Sequence, residues 1–204
     1  MIAIIDYGAG NLRSVTNTLK YLGAEVVIAG KPEQLRGVDR IVLPGVGAFG
    51  AGITSLREAG FEEPIKQAVA GGTPLLGICL GMQYLFDESE EMGIHKGLGL
   101  LPGRVVRFPP DVPKVPHIGW NQLHIQSKSP LLEGVADGSY AYFVHSFVAE
   151  PADPADILAQ TDYGVMFTSI AGRGNIFGIQ CHPEKSQAVG QRILRNFMEM
   201  ASNE

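Results

Sequence analysis

In the first half of the chain, short runs dominated by apolar residues alternate with longer segments in which apolar residues recur every three or four positions. Ile2–Ile5, Glu25–Ile28, Arg40–Leu43 and Leu75–Ile78 are of the first kind. Such runs suit strands covered on both faces, as in a parallel sheet. Asn11–Leu22 is of the second kind, with Leu12, Val15, Leu19 and Leu22 on one helical face and Gly23 placed to stop it. Ala51–Ala70 carries helical patterning broken near Gly60 and Pro64. Strands alternating with helices predict parallel βαβ units with right-handed crossovers.

From about Leu101 the texture changes. Pro109–Pro116 is a proline-rich loop that continues neither a helix nor a central strand. Around it Arg104–Arg107, Tyr140–Val148, Ile157–Thr161 and Val165–Ile170 read as strands, antiparallel to one another, and Asn175–Gln180 is a further strand. Gln187–Met200 reads as a closing helix, with Ile193, Leu194, Phe197 and Met198 apolar. There are no internal repeats, and the expectation is one α/β domain over 1–204 with a mixed sheet.

Composition narrows the function. The 26 glycines among 204 residues are about twice the usual share, and many fall between apolar runs, as in enzymes with backbone-built loops. A net charge of −5 argues against a nucleic-acid partner, which demands a basic face. No stretch approaches the ~18 consecutive apolar residues of a membrane span. Met1–Asp6 has no basic region and reads as a strand, so no signal peptide is expected. With two cysteines and apolar residues enough for a full core, a disulfide is unneeded and a cytoplasmic location is expected.

One cysteine stands where a nucleophile would be displayed. Gly77-Ile78-Cys79-Leu80-Gly81 joins the strand ending at Ile78 to a helix expected over Leu80–Phe86, the nucleophile-elbow arrangement with sulfur in place of oxygen. The helix start presents N–H groups and the positive end of a dipole to that sulfur. A buried core thiol is the alternative. Downstream, Gln180-Cys181-His182-Pro183-Glu184 follows the last strand. His182 can take and return the thiol proton, and Glu184, two residues on and facing the same way in extended chain, can hold the imidazole. Cys181 is the rival nucleophile, but neighbouring strand residues point to opposite faces. His95, expected to be exposed, and His117, His124 and His145 have no metal-ligand spacing, so no metal site is expected. His117 and His145 lie in segments placed near the site. An oxyanion hole needs two donors. Leu80 N–H is one candidate, and the glycine-rich Leu43–Gly50 loop is the source of the other, unless it is an ordinary strand-to-helix connection.

The elbow together with His182-Pro183-Glu184 resembles the class I, triad-type glutamine amidotransferases. Within that class, four segments resemble the glutaminase subunits of imidazole glycerol phosphate synthase: Ile4–Leu12, Pro44–Gly47, Pro116–Asn121 and Tyr142–Ser146. Sister families usually carry a second glycine where this chain has Val46. The departures are Ile118 where Met is common and Cys181 where Phe is common.

The resemblance implies a three-layer, flavodoxin-like α/β domain with a mixed, mainly parallel central sheet. It implies that Cys79 attacks glutamine, that His182 and Glu184 complete the triad, and that Val46 and Leu80 donate oxyanion N–H groups. Gly47, Gln83 and Glu91 would hold the glutamine, Glu91 by its ammonium group, with His145, Ser146 and Phe147 along its carboxylate side. No cofactor is implied. The implied partner is a (β/α)₈-barrel cyclase that uses the ammonia in histidine biosynthesis, met near Asn11, Trp120 and Lys185. A barrel needs about 250 residues of its own, so a separate chain is expected. Two alternatives stay open: a glutaminase for anthranilate, pyridoxal phosphate or purine synthesis, and a non-catalytic binding subunit on the same fold.

Overall fold

In the computed structural model, which describes residues 1–200, the alternating elements wind a parallel sheet covered on both faces. Its strands are β1 (Ile2–Ile5), β2 (Val26–Ala29), β3 (Arg40–Gly45) and β4 (Leu75–Cys79). The helices between them are α1 (Leu12–Tyr21), α2 (Phe49–Glu58) and α3 (Glu62–Ala70). After the single turn α4 (Leu80–Gln83), the chain runs through strands to the closing helix α5 (Gln187–Glu199).

The period-2 geometry of a strand sends neighbouring side chains to opposite faces, and β1 feeds two cores in this way. Ile2 and Ile4 join Val42, Leu76 and Ile78 beneath Val15 and Leu19 of α1 and Ile193, Leu194 and Phe197 of α5. Ala3 and Ile5 join Ile41, Leu43 and Leu75 beneath Phe49, Ile53 and Leu56 of α2 and Ile65 and Val69 of α3. Helices on both faces of one sheet make the three layers.

The later strands are β5 (Glu88–Ser89), β6 (His95–Lys96), β7 (Gly103–Arg107), β8 (His117–Ile125), β9 (Ser139–His145), β10 (Phe147–Pro151), β11 (Ile157–Asp162), β12 (Met166–Arg173) and β13 (Ile176–Ile179). β13 lies parallel to β4 and completes a central parallel block ordered β2-β1-β3-β4-β13. Beyond it β12, β10 and β7 continue antiparallel, with β5 and β6 at the margin. β11 leaves β12 to pair with β8, and the β8–β9 hairpin hangs from that branch.

The structure amends several expected boundaries. The break between α2 and α3 is at Gly60, whose φ is +78°, while Pro64 sits in the first turn of α3, where a missing N–H costs nothing. The strand expected over Tyr140–Val148 is divided at Ser146 into β9 and β10, which have different partners. The helix expected over Leu80–Phe86 ends at Gln83. The last four residues of the expected domain, 201–204, lie outside the described residues. No helix among the described residues is long and apolar enough to cross a membrane.

Candidate active site

β4 lies between β3 and β13, in a register that pairs Gly45 with Cys79 and Ile179 with Ile78. The segments leaving these three strands, beginning at Val46, Leu80 and Gln180, therefore emerge side by side. Carboxyl ends of parallel strands are where such sheets build their sites. Cys79 turns the chain sharply, at φ 55° and ψ −111°. The flanking glycines let the backbones meet: a side chain on Gly81 would collide with the Leu43 carbonyl of β3, and one on Gly77 with the backbone of Gly81 and Met82. A one-turn α4 aligns few peptide dipoles, so what it offers the sulfur is its first N–H groups rather than a macrodipole.

His182 and Glu184 meet by a different route from the one expected. They do not face one way along extended chain; Pro183–Lys185 form a 3₁₀ turn that folds the carboxylate back onto the ring. His182 Nδ1 lies 2.9 Å from Glu184 Oε1, with both side chains nearly fully buried. Asn11 donates to the same oxygen at 3.3 Å instead of capping α1. His182 N donates to the Tyr142 carbonyl (2.8 Å), and the Ser186 hydroxyl accepts from Tyr142 N and donates to the His182 carbonyl. Nε2, the other ring nitrogen, is buried with no hydrogen-bond partner and is left for the neighbouring sulfur. Burial works against charge on this ring, but Cys79 and Glu184 outweigh it and raise the His182 pKa from 6.5 to about 9.

A cavity of about 280 Å³ opens over these groups. Besides Cys79, Leu80 and His182 it is lined by Val46, Gly47, Gln83, Glu91 and the run His145, Ser146 and Phe147, with Pro116 and Val144 completing the wall. Glu184 stands behind His182. Val46 is exposed, and Gly47 at φ +97° occupies a region that favours glycine. The Tyr7 hydroxyl donates to the Pro44 carbonyl at 3.0 Å, tying down the base of this loop, and burial raises its pKa to about 12. One oxygen of Glu91 accepts from Phe49 N at the start of α2 (2.7 Å). Gln83 spends its amide hydrogens on the Phe147 carbonyl (3.2 Å) and Gln180 Oε1 (3.0 Å).

His145 belongs to a second, neutral network. Its Nδ1 lies 2.9 Å from the Phe147 carbonyl, an acceptor only, so Nδ1 carries the hydrogen. Its Nε2 must then accept from His117 Nδ1 at 3.1 Å, and His117 Nε2 from Asn121 Nδ2 at 3.4 Å. Phe108, Phe143 and Phe167 enclose the pair, and Tyr163 stacks on His117 with centroids 3.9 Å apart. Burial pushes the pKa of His117 down to about 4 and that of His145 to about 3.

Besides Glu184, three expected residues lie outside the cavity. Asn11 and Lys185 flank Glu184, and the Lys185 ammonium stands 5.6 Å from the centre of the Tyr142 ring. Trp120, 46% exposed, meets Tyr142 edge-on. Exposed Ile118, Tyr140 and Val144 extend this outer face of the hairpin. Pro116, Tyr142 and Val144 lie inside segments that carry the resemblance, and Gln180 inside the run that ends at Glu184, but sequence reasoning gives none of the four a role of its own. Cys181 is fully buried in the core, which raises its thiol pKa. His95 is not exposed as expected, because its ring packs over Gly50 of α2. His124 lies on β8, away from the cavity.

Comparison with known proteins identifies the family. The family model for glutamine amidotransferase class-I matches residues 3–201. The imidazole glycerol phosphate synthase subunit HisH of Geobacillus kaustophilus is 52% identical, over 99% of this chain and 98% of its own length. The protein of the same name from Syntrophotalea carbinolica is 50% identical, over 98% of this chain and all of its own. A crystal structure described as glutamine amidotransferase superposes with a TM-score of 0.77 at 23% identity, covering 98% of each chain, a likeness of fold.

Proposed function

The chain belongs to the class-I glutamine amidotransferase family, and from that premise we propose that it is the glutaminase subunit of an imidazole glycerol phosphate synthase. It hydrolyses glutamine and hands the ammonia to a separate (β/α)₈-barrel cyclase in the cytoplasm. About 50% identity to relatives named as that subunit, over nearly their whole length, supports the pathway. The observation that carries the chemistry is the His182–Glu184 contact of 2.9 Å beside the Cys79 elbow.

In this scheme His182 Nε2 holds the proton taken from the Cys79 thiol, as its raised pKa favours, and the sulfur attacks the side-chain amide carbon of glutamine. The C=O π electrons move to oxygen, where the N–H groups of Val46 and Leu80 receive the charge. Collapse expels ammonia, protonated by His182, and leaves a γ-glutamyl thioester. Water, deprotonated by His182, then releases glutamate and returns the proton to sulfur. Glu184 holds the ring and balances the imidazolium throughout.

Gln83 has committed both amide hydrogens, so it meets substrate as an acceptor, beside Gly47 and with Glu91 taking the α-ammonium group. His145, Ser146 and Phe147 border the carboxylate end. Asn11, Trp120 and Lys185 form the cyclase-facing surface, directly behind the triad carboxylate.

The test is a glutaminase assay with and without the barrel subunit and its nucleotide ligand. Weak hydrolysis alone and strong stimulation by the liganded partner are expected. Failure of the purified pair to make imidazole glycerol phosphate from glutamine, with Cys79→Ala changing nothing, would reject the reading. Capture of an anthranilate synthase subunit instead would move the protein to another pathway.

A further inference from the structure

We infer that Gln180 is a further catalytic residue: its side-chain amide donates a hydrogen bond to the Cys79 sulfur and stabilises the negative charge that gathers there when His182 takes the proton. The inference rests on the glutaminase reading above. Gln180 follows β13 and is fully buried, and its Nε2 lies 3.7 Å from Cys79 Sγ.

An amide can face either way round, and here its neighbours decide. The Gln83 atom that reaches the Phe147 carbonyl must be nitrogen, because a carbonyl only accepts. The same nitrogen is 3.0 Å from Gln180, so the atom it meets is the oxygen. What remains to face the sulfur is the Gln180 NH₂ group. Phe147 is in turn fixed by His145 Nδ1–H, so the amide is held from a neutral, enclosed anchor.

A carbonyl that also faces the sulfur explains why a donor matters. The thiol hydrogen can rest on the Val144 carbonyl, 4.0 Å from Sγ. Once the hydrogen leaves, that carbonyl faces a negative sulfur with its own lone pairs. A buried donor on another side offsets this, and hydrogen bonds to an ionised acceptor are about twice as strong as neutral ones. A purely structural Gln180 needs its oxygen bonded to Gln83 but has no use for an N–H aimed at the nucleophile. The titratable groups that sense Cys79 are His182, Tyr7, Tyr84 and Cys181; protonated His182 donates to the sulfur as well, but its proton must leave again during the reaction, whereas the Gln180 amide stays a donor throughout.

Two near-isosteric variants separate the roles. Gln180→Met removes the donor, and Gln180→Glu keeps an oxygen for Gln83 while placing an acceptor against the sulfur. Steady-state kinetics would be run on the chain with its barrel partner. Iodoacetamide alkylation would be followed against pH, with Cys79 identified by peptide mass and melting curves confirming the fold. Gln180→Met is expected to lower kcat about 10- to 100-fold, with KM within about threefold of wild type. Its alkylation midpoint should rise by about one pH unit, and Gln180→Glu should be worse on both counts. Wild-type kcat and an unmoved alkylation profile in either folded variant would overturn the proposal. So would failure of both to fold, which would assign Gln180 to packing. Alkylation does not need turnover, so an inactive wild-type protein would defeat the glutaminase reading while this arm still judged Gln180.

Discussion

His182 and His145 border the same cavity and are almost equally buried, and each ring bonds through Nδ1 to the residue two positions on. For His182 that residue supplies a carboxylate, and for His145 a backbone carbonyl. The partner's charge decides the rest. Paired with Glu184 and facing sulfur, His182 holds its proton up to about pH 9, while His145, beside a neutral carbonyl and a second neutral histidine, refuses one down to about pH 3. In the proposed reaction the first environment suits a proton carrier, and the second a neutral strut.

The largest test of this contrast removes the carrier. His182→Phe should lower glutamate release by at least about 10³-fold, measured in single turnovers with the barrel partner present. Glu184→Gln should push His182 toward the behaviour of His145, costing between about 10²- and 10⁴-fold in kcat. Its imidazole titration, followed by NMR, should fall from about 9 toward the ordinary value. The sign for stability follows: the raised pKa contributes stability that is full below 6.5 and lost as pH climbs through about 9. That alkaline loss should shrink in Glu184→Gln.

Trp120→Ala touches only the outer face of the hairpin whose inner face carries His117 and His145. It should weaken the barrel partner by about 2 kcal/mol in titration calorimetry while the chain's melting temperature stays near wild type. The smallest effect belongs to the strut. His145→Phe removes two neutral hydrogen bonds, one to the Phe147 carbonyl and one from His117 Nδ1, and should cost no more than about tenfold in kcat/KM. The lowered values of His117 and His145 predict loss of stability as pH falls from 6.5 toward about 3, because the unfolded chain takes up protons that the folded one refuses. A melting series between pH 7 and 4 should be flatter in the His117→Phe/His145→Phe double variant.

Legibility in the sequence followed the same divide. The pairing of His182 with Glu184 is local, so residue types two apart suggested it even though the turn that joins them was misjudged. The His117–His145 contact depends on β8 and β9 pairing in one register, which sets the two rings directly opposite across 28 residues of chain. Nothing in the spacing of two isolated histidines encodes that. The helix after Cys79 was overextended for a different reason: Leu75–Phe86 is buried at every position, so no polar face marks a period or an end. The parallel block was readable because uniformly apolar strands alternate there with one-sided helices. Gln180 was hidden because a single buried amide in a strand exit looks like any other until its neighbours fix which way it faces.

Cys79 at φ 55° has one more consequence, for what selection has accepted at that position. A residue with a Cβ is strained there, at a cost on the order of 1–3 kcal/mol, whereas glycine is relaxed. In an ordinary strand or helix alanine outranks glycine by about 0.5–1 kcal/mol; at this turn the order should reverse, and Cys79→Gly should melt above Cys79→Ala. Folding alone would have chosen glycine. On the proposed function the side chain that stands there serves reactivity, against the preference of the backbone that displays it.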